Sequence, residues 1–157
     1  MARAFFEDVA DALIGFLPPA MRSFEHRISA RNLKVWFGDE PREHYEVQIV
    51  PASAQRHAGI RARAAALEVG FHAEHPDAAA NDAVLERLRA GERTLRRVLG
   101  DEVELGAFVG RASPWRRVSE LWRDGDLDAP ETAIEAADRL ARYITAIERV
   151  RTKTPRR

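Results

Sequence analysis

The chain predicts an α+β fold, a mainly antiparallel sheet of four or five strands with helices packed on one face. Three observations carry this expectation. Apolar residues recur at helical spacing near both ends, they alternate at period two across 33–50 and 67–73, and turn-forming residues separate the alternating runs.

The elements follow in order. Phe5, Val9, Ala12, Leu13 and Phe16 define an amphipathic helix over 2–17, stopped by Pro18-Pro19. Met21, Phe24 and Ile28 repeat the spacing in a second short helix. The period then changes, and "LKVWFG" and "HYEVQIV" flank the turn "GDEPRE" as a hairpin from Leu33 to Val50. The alanine-rich run before Leu67 fits more than one element, but Leu67, Val69, Phe71 and Ala73 share one side of a strand. Pro76-Asp77 opens a long helix with the stripe Val84, Leu88, Gly91, Leu95 and Val98, capped at Gly100. "EVELGAFVG" returns to strand period with Val103, Leu105, Ala107 and Val109, and "WRRVSELW" is a candidate fifth strand. Asp128, Pro130 and Glu131 have capping-box spacing ahead of a last helix with the stripe Ala133, Ala137, Leu140, Ile144 and Ile147. Residues 1–151 are expected to form a single domain, followed by a basic flexible tail over 152–157.

Composition narrows the function classes. With 45% apolar and 32% charged residues in a chain of 157, the balance is that of one soluble domain able to bury a core. The formal net charge is zero, so no global field draws the chain toward nucleic acid or anionic lipid. All 25 basic side chains except Lys34 and Lys153 are arginine, a bias that GC-rich coding accounts for. The absence of cysteine removes disulfides, thiolate nucleophiles and thiolate metal sites, and fits a cytoplasmic location. No apolar run approaches a membrane span, and no P-loop, GxGxxG or GxSxG motif occurs.

Chemistry concentrates on one side of the strands. If Tyr45, Val47 and Ile49 face the core, His44, Glu46 and Gln48 face away, as do Glu68, His72 and Glu74 when Leu67, Val69 and Phe71 point inward. Glu102 and Glu104 take the same phase on a later strand, and Lys34 and Trp36 do so on an earlier one. A solvated sheet face has this composition without any function. An exposed indole is less expected there, which favours a binding surface made of Trp36, His44, Glu46, Gln48, Glu68, His72 and Glu74.

The stretch "LEVGFHAEHPD" suggests a metal site until strand geometry is applied. Glu68 and His72 lie about 13 Å apart along a strand, and His75 points to the opposite side. Zinc bonds to nitrogen are about 2.0–2.1 Å, so that strand alone cannot supply three ligands. His72 and Glu74, about 6.6 Å apart, could share a site only with His44 or Glu46 from a neighbouring strand. No metal and no cofactor is therefore assigned. His26 and His57 read as surface residues, and the paired carboxylates Glu46 with Glu68, or Glu46 with Glu104, are candidates for acid–base work if register brings them together.

Asp39 followed by Glu46-Val47-Gln48, in the order helix, three strands, helix, strand, resembles the PD-(D/E)xK core of the restriction-endonuclease-like nucleases, with glutamine where lysine is usual. The resemblance implies a metal-dependent hydrolase in which Asp39 and Glu46 hold magnesium and Gln48 orients water, with Glu68 on the next strand. "RASPWRRVSELWR" interleaves Arg111, Arg116, Arg117 and Arg123 with Trp115 and Trp122, a mixture that can grip single-stranded nucleic acid together with the basic tail. A tryptophan anchoring the core, with arginines paired to Glu120 and Asp124, explains the same run. The expectation is a small cytoplasmic module that binds a protein or a small molecule through its polar sheet face. The nuclease-like hydrolase is the alternative. The residues leave catalysis and oligomeric state undecided.

Overall fold

In the computed structural model, residues 2–109 and 113–153 are described. Helix α1 (Ala2–Phe16) leads through a 3-10 turn (Pro19–Met21) to strands β1 (Glu25–Ile28), β2 (Asn32–Trp36) and β3 (Glu43–Val50). Then come α2 (Ala52–His57), β4 (Ala66–Ala73), α3 (Ala78–Arg89), α4 (Glu92–Leu99), β5 (Glu104–Ala107), β6 (Arg116–Trp122) and α5 (Pro130–Thr152). The sheet has six strands in the order β1-β2-β3-β4-β6-β5, and all neighbours are antiparallel. The α+β class holds, with six strands rather than four or five: β1 is added at one edge, and the candidate fifth strand, β6, lies inside the sheet against β4.

The core lies on one face. Leu33, Val35, Tyr45, Val47, Leu67, Val69, Phe71 and Val118 pack there against Phe5, Phe6, Val9 and Leu13 of α1 and against α5. The expected stripe of α5 is all buried: Ala133, Ala137, Leu140, Ile144 and Ile147. Burying residues at both helical and strand periods against one another is what a two-layer α+β domain requires.

Three local expectations are corrected. Residues 25–28 form a strand rather than a second helix, because Phe24 and Ile28, four apart, satisfy period two as well as a helical turn. Pairing with β2 decides it, and Phe24 stacks edge-on against Phe37. The long helix after Asp77 is two helices. Gly91 caps the second where a Cβ would sit 3.1 Å from the Val150 side chain of α5, so close packing turns the chain there. Asp128 caps nothing: the N-cap of α5 is Ala129 without a side-chain bond, one residue past the expected position, and Pro130 starts the helix. Asp77 does cap α3, accepting from the Ala79 amide. The expected flexible tail beyond Lys153 and Arg111 of the arginine–tryptophan run lie outside the described residues. Among the described residues, no helix is long and apolar enough to cross a membrane.

Gly70, central in β4, sets how closely β4 and β6 approach. A Cβ there would fall 2.4 Å from the Val118 carbonyl oxygen and 2.5 Å from Ser119 Cα, both backbone atoms, and its φ is 156°. Gly70→Ala should therefore destabilise the fold by roughly 3 kcal/mol or more, because neither strand can yield without losing its ladder. Urea unfolding followed by circular dichroism measures this, and a loss under about 1 kcal/mol would contradict the packing.

Candidate metal centre

The register of β3 and β4 assembles the site. His44 pairs directly with His72, Glu46 with Gly70, and Gln48 with Glu68. Gly70 also separates Glu68 from His72 along β4. The direction its Cβ would take is filled by β6, by the Val118 carbonyl oxygen and by Cα and Cβ of Ser119. Across Gly70, His72 Nε2 and Glu68 Oε2 meet at 3.0 Å. The strand spacing that argues against contact between Glu68 and His72 is correct for Cα atoms. Two long side chains leaning toward a glycine cancel it.

The polar face is not the solvated surface the alternation suggests. His44, Glu46, Glu68 and His72 are each at most 2% exposed. Phe108, beyond β5, stacks on His72 with ring centroids 4.9 Å apart, and Trp115 stacks on Phe108 at 5.3 Å. Asn81 of α3 fixes this cover by donating to the carbonyls of His75 and Pro114.

Each ring and carboxylate is held from behind. Nδ1 of His44 lies 2.9 Å from the Pro41 carbonyl, which can only accept, so Nδ1 carries a proton and Nε2 faces the cluster. His72 Nε2 donates to Glu68, whose carboxylate also accepts from Ser119 Oγ and Gln48 Nε2, and Nδ1 faces the cluster. Glu46 Oε1 accepts from Asn32 Nδ2 at 3.0 Å, and Glu74 Oε1 accepts from Lys34 Nζ at 3.2 Å. Histidines oriented by a carbonyl and a carboxylate on their far nitrogens are what metal sites require of their surroundings.

Four atoms then face one another: His44 Nε2, His72 Nδ1, Glu46 Oε2 and Glu74 Oε2, all within 4.8 Å. His72 Nδ1 is 2.7 Å from Glu46 Oε2 and 3.0 Å from Glu74 Oε2, and His44 Nε2 is 3.2 Å from Glu74 Oε2 and 3.9 Å from Glu46 Oε2. His72 Nδ1 and Glu74 Oε2 are hydrogen-bonded to each other. His44 Nε2 and Glu46 Oε2 are buried without a hydrogen-bond partner, because their approaches miss hydrogen-bond geometry. A third buried atom of this kind, Gln55 Oε1, belongs to α2.

Charge explains what such a group needs. Three carboxylates (Glu46, Glu68 and Glu74) against the Lys34 ammonium and the buried Arg117 guanidinium, which reaches Glu68 through Ser119 Oγ, leave net negative charge in a dry region, which protons on the imidazoles or a dication would offset. Without a metal, the protons prevail. Burial alone would lower the His72 pKa, but the charges of Glu68 and Glu46 outweigh it and hold the ring well above its ordinary 6.5. His44 is raised as well: burial opposes it, and the Glu46 and Glu74 carboxylates overcome that opposition. Burial would raise Glu68, yet the His72 charge and the bonds from His72, Ser119 and Gln48 bring it down to about 2. Burial would raise Glu46 and Glu74 as well, but His44 and His72 lower both.

The remaining candidates fall outside. Trp36 is half-buried on the same face, with the Arg27 guanidinium 5.9 Å from its ring. Gln48 supports Glu68. His75 turns away to Glu43 at 2.8 Å, as strand phase requires. Glu104 is exposed on β5 and Glu102 sits in a turn, so neither joins Glu46. Asp39 stays in the exposed β2–β3 turn. Arg116 pairs with Asp82, and Arg117 is buried and donates to Ala107 and Ser119, so neither presents a free cation to nucleic acid. Trp122 is buried in the core, while Glu120 is bound by Arg139 and Tyr143 rather than by a nearby arginine of β6. Sequence reasoning misses Asn32, Ser119, Phe108 and Pro41 as members of the site. Only Ser119 carries a signal, since it alternates with Val118 and Glu120 on β6. Comparison with protein-family models, with curated proteins and with solved structures finds no match.

In chelator, stability should show two flanks. Glu68 has a lowered pKa, so its contribution is complete above the ordinary carboxylate value of 4.5 and is lost as pH falls toward about 2. His72 has a raised pKa, so its contribution is complete below 6.5 and is lost as pH rises through its elevated value. Urea midpoints between pH 3 and pH 9 should therefore peak between these limits. Glu68→Gln should cost about 3 kcal/mol at pH 6 and flatten the acid flank. An unchanged acid flank in this variant would disprove the pairing.

Proposed function

We propose that the chain is a binding module whose polar sheet face takes up one divalent transition-metal ion, with His44, Glu46, His72 and Glu74 as ligands. The observation that carries this reading is the convergence of four donor atoms, two of them buried and unpartnered, with every far-side atom already engaged. Tetrahedral bonds of about 2.0–2.1 Å put neighbouring donors about 3.4 Å apart. The observed separations of 2.7, 3.0, 3.2 and 3.9 Å straddle that value. Two imidazoles with two carboxylates suit zinc, manganese or iron(II), whereas magnesium and calcium favour oxygen donors throughout. A dication also offsets the negative charge of the buried group with both histidines uncharged.

Four protein ligands under an aromatic cover match a closed site, which holds an ion rather than presenting it to a substrate. The hydrolase alternative has less support, because Asp39 stays in an exposed turn apart from Glu46. Binding, not turnover, is the reading.

Titration with zinc or manganese should raise the melting temperature and magnesium should not; an ion at a hundred times its Kd adds about 2.7 kcal/mol. His44→Ala and Glu46→Gln should abolish the shift, while Trp36→Ala should keep it. No shift with zinc, manganese or iron(II), or a shift that survives both ligand substitutions, would reject the proposal. Near pH 6 each bound ion should also release up to two protons, read by calorimetry in buffers of different ionisation enthalpy.

A further inference from the structure

The ladder between β5 and β6 stops at Glu104 opposite Ser119. The last three residues of β6, Glu120 to Trp122, pair with β4 on one side, and among the described residues no strand borders the other side. The chain leaves this edge because Val103 is drawn into the core and its carbonyl accepts from Arg96. The opening is a groove of about 860 Å³, and Leu121, Trp122, Ala58 and Ile60 are among the residues that line it. A strand edge of this kind offers unpaired backbone N–H and C=O groups, the template to which an extended segment can add.

Charge selects the segment. Two of the arginines lining the groove are committed: Arg139 lies 4.2 Å over the Trp122 ring and bonds Glu120 and Glu135, and Arg117 is buried against Ala107 and Ser119. Among the described residues, no ion pair engages Glu102, Glu104, Asp124, Arg117 or Arg123, so three carboxylates face two guanidiniums, one of them the buried Arg117. The groove is therefore negative in a chain whose net charge is zero.

We infer that the free edge of β6 binds an extended cationic peptide as an added strand, its backbone pairing along Glu120 to Trp122 and its lysine or arginine side chains facing Glu102, Glu104 and Asp124. At about 3.4 Å per residue, the edge and its rims accommodate a segment of roughly four to six residues. This site is separate from the metal centre and does not rest on it.

The probe is a fluorescein-labelled, end-capped hexapeptide of alternating lysine and valine, followed by anisotropy. Saturable binding is expected, weakening several-fold as salt is raised. The double substitution E102K/E104K, at two exposed positions that leave the core intact, should weaken it roughly tenfold or more. Methylating the backbone nitrogens of alternate residues should abolish binding in one of the two phases, and the bound peptide should slow amide exchange at 120–122. Absence of saturable binding at millimolar peptide would overturn the inference. So would binding indifferent to N-methylation in both phases or to E102K/E104K, or protection elsewhere on the sheet. A sedimentation mass that doubles with concentration and reverts in E102K/E104K would assign the edge to a second copy of the chain instead.

Discussion

Net negative charge in a dry pocket is the constraint around which the polar half of this protein is organised. Glu46, Glu68 and Glu74 sit where carboxylates are costly, and Lys34 at their edge and Arg117 behind Ser119 offset them only in part. Everything around them is arranged to keep them ionised. Ser119, Gln48 and Asn32 donate to their oxygens, and two imidazoles stand at the centre where positive charge must reside. Such a group adds little to stability compared with an apolar core, and breaking it is expensive. Its retention makes better sense as a binding device than as a structural one.

The device depends on an absence. Gly70 carries no side chain in the middle of the face, and β6 fills the place where one would stand. The same glycine lets β6 come close enough for Ser119 to reach Glu68. One residue thus serves both strands that flank β4. The two faces of the sheet divide the labour: aliphatic and aromatic packing against α1 and α5 supplies cohesion, while the opposite face holds the charge.

Much of the architecture is legible from periodicity. The alternation of Tyr45, Val47 and Ile49 with His44, Glu46 and Gln48 assigns a side to each, and the stripe of α5 is plain from Ala133 to Ile147. Residues 25–28 are not legible, because apolar residues four apart fit two periods, and only pairing with β2 chooses between them. For the site, the sequence puts His44, Glu46, Glu68, His72 and Glu74 on one face, yet it cannot set His44 opposite His72. Register comes from the turn and from the packing of the whole sheet. Burial was equally hidden. Phe108 and Trp115 lie far along the chain from His72, and a local pattern does not say that they return to cover it.

That aromatic cover has a kinetic consequence. Phe108 lies on His72, Trp115 lies on Phe108, and Asn81 ties Pro114 to the loop at His75, so these contacts part only by local unfolding of several groups together. For a cation bound at the proposed centre, the exchange rate would follow how often that cover opens, and affinity alone would not fix it. Lys34 and Glu74, the least buried members of the group, mark the side from which water would enter first. A site of ordinary affinity can in this way keep its occupant for a long time, and the memory of past exposure then lies in the residence time.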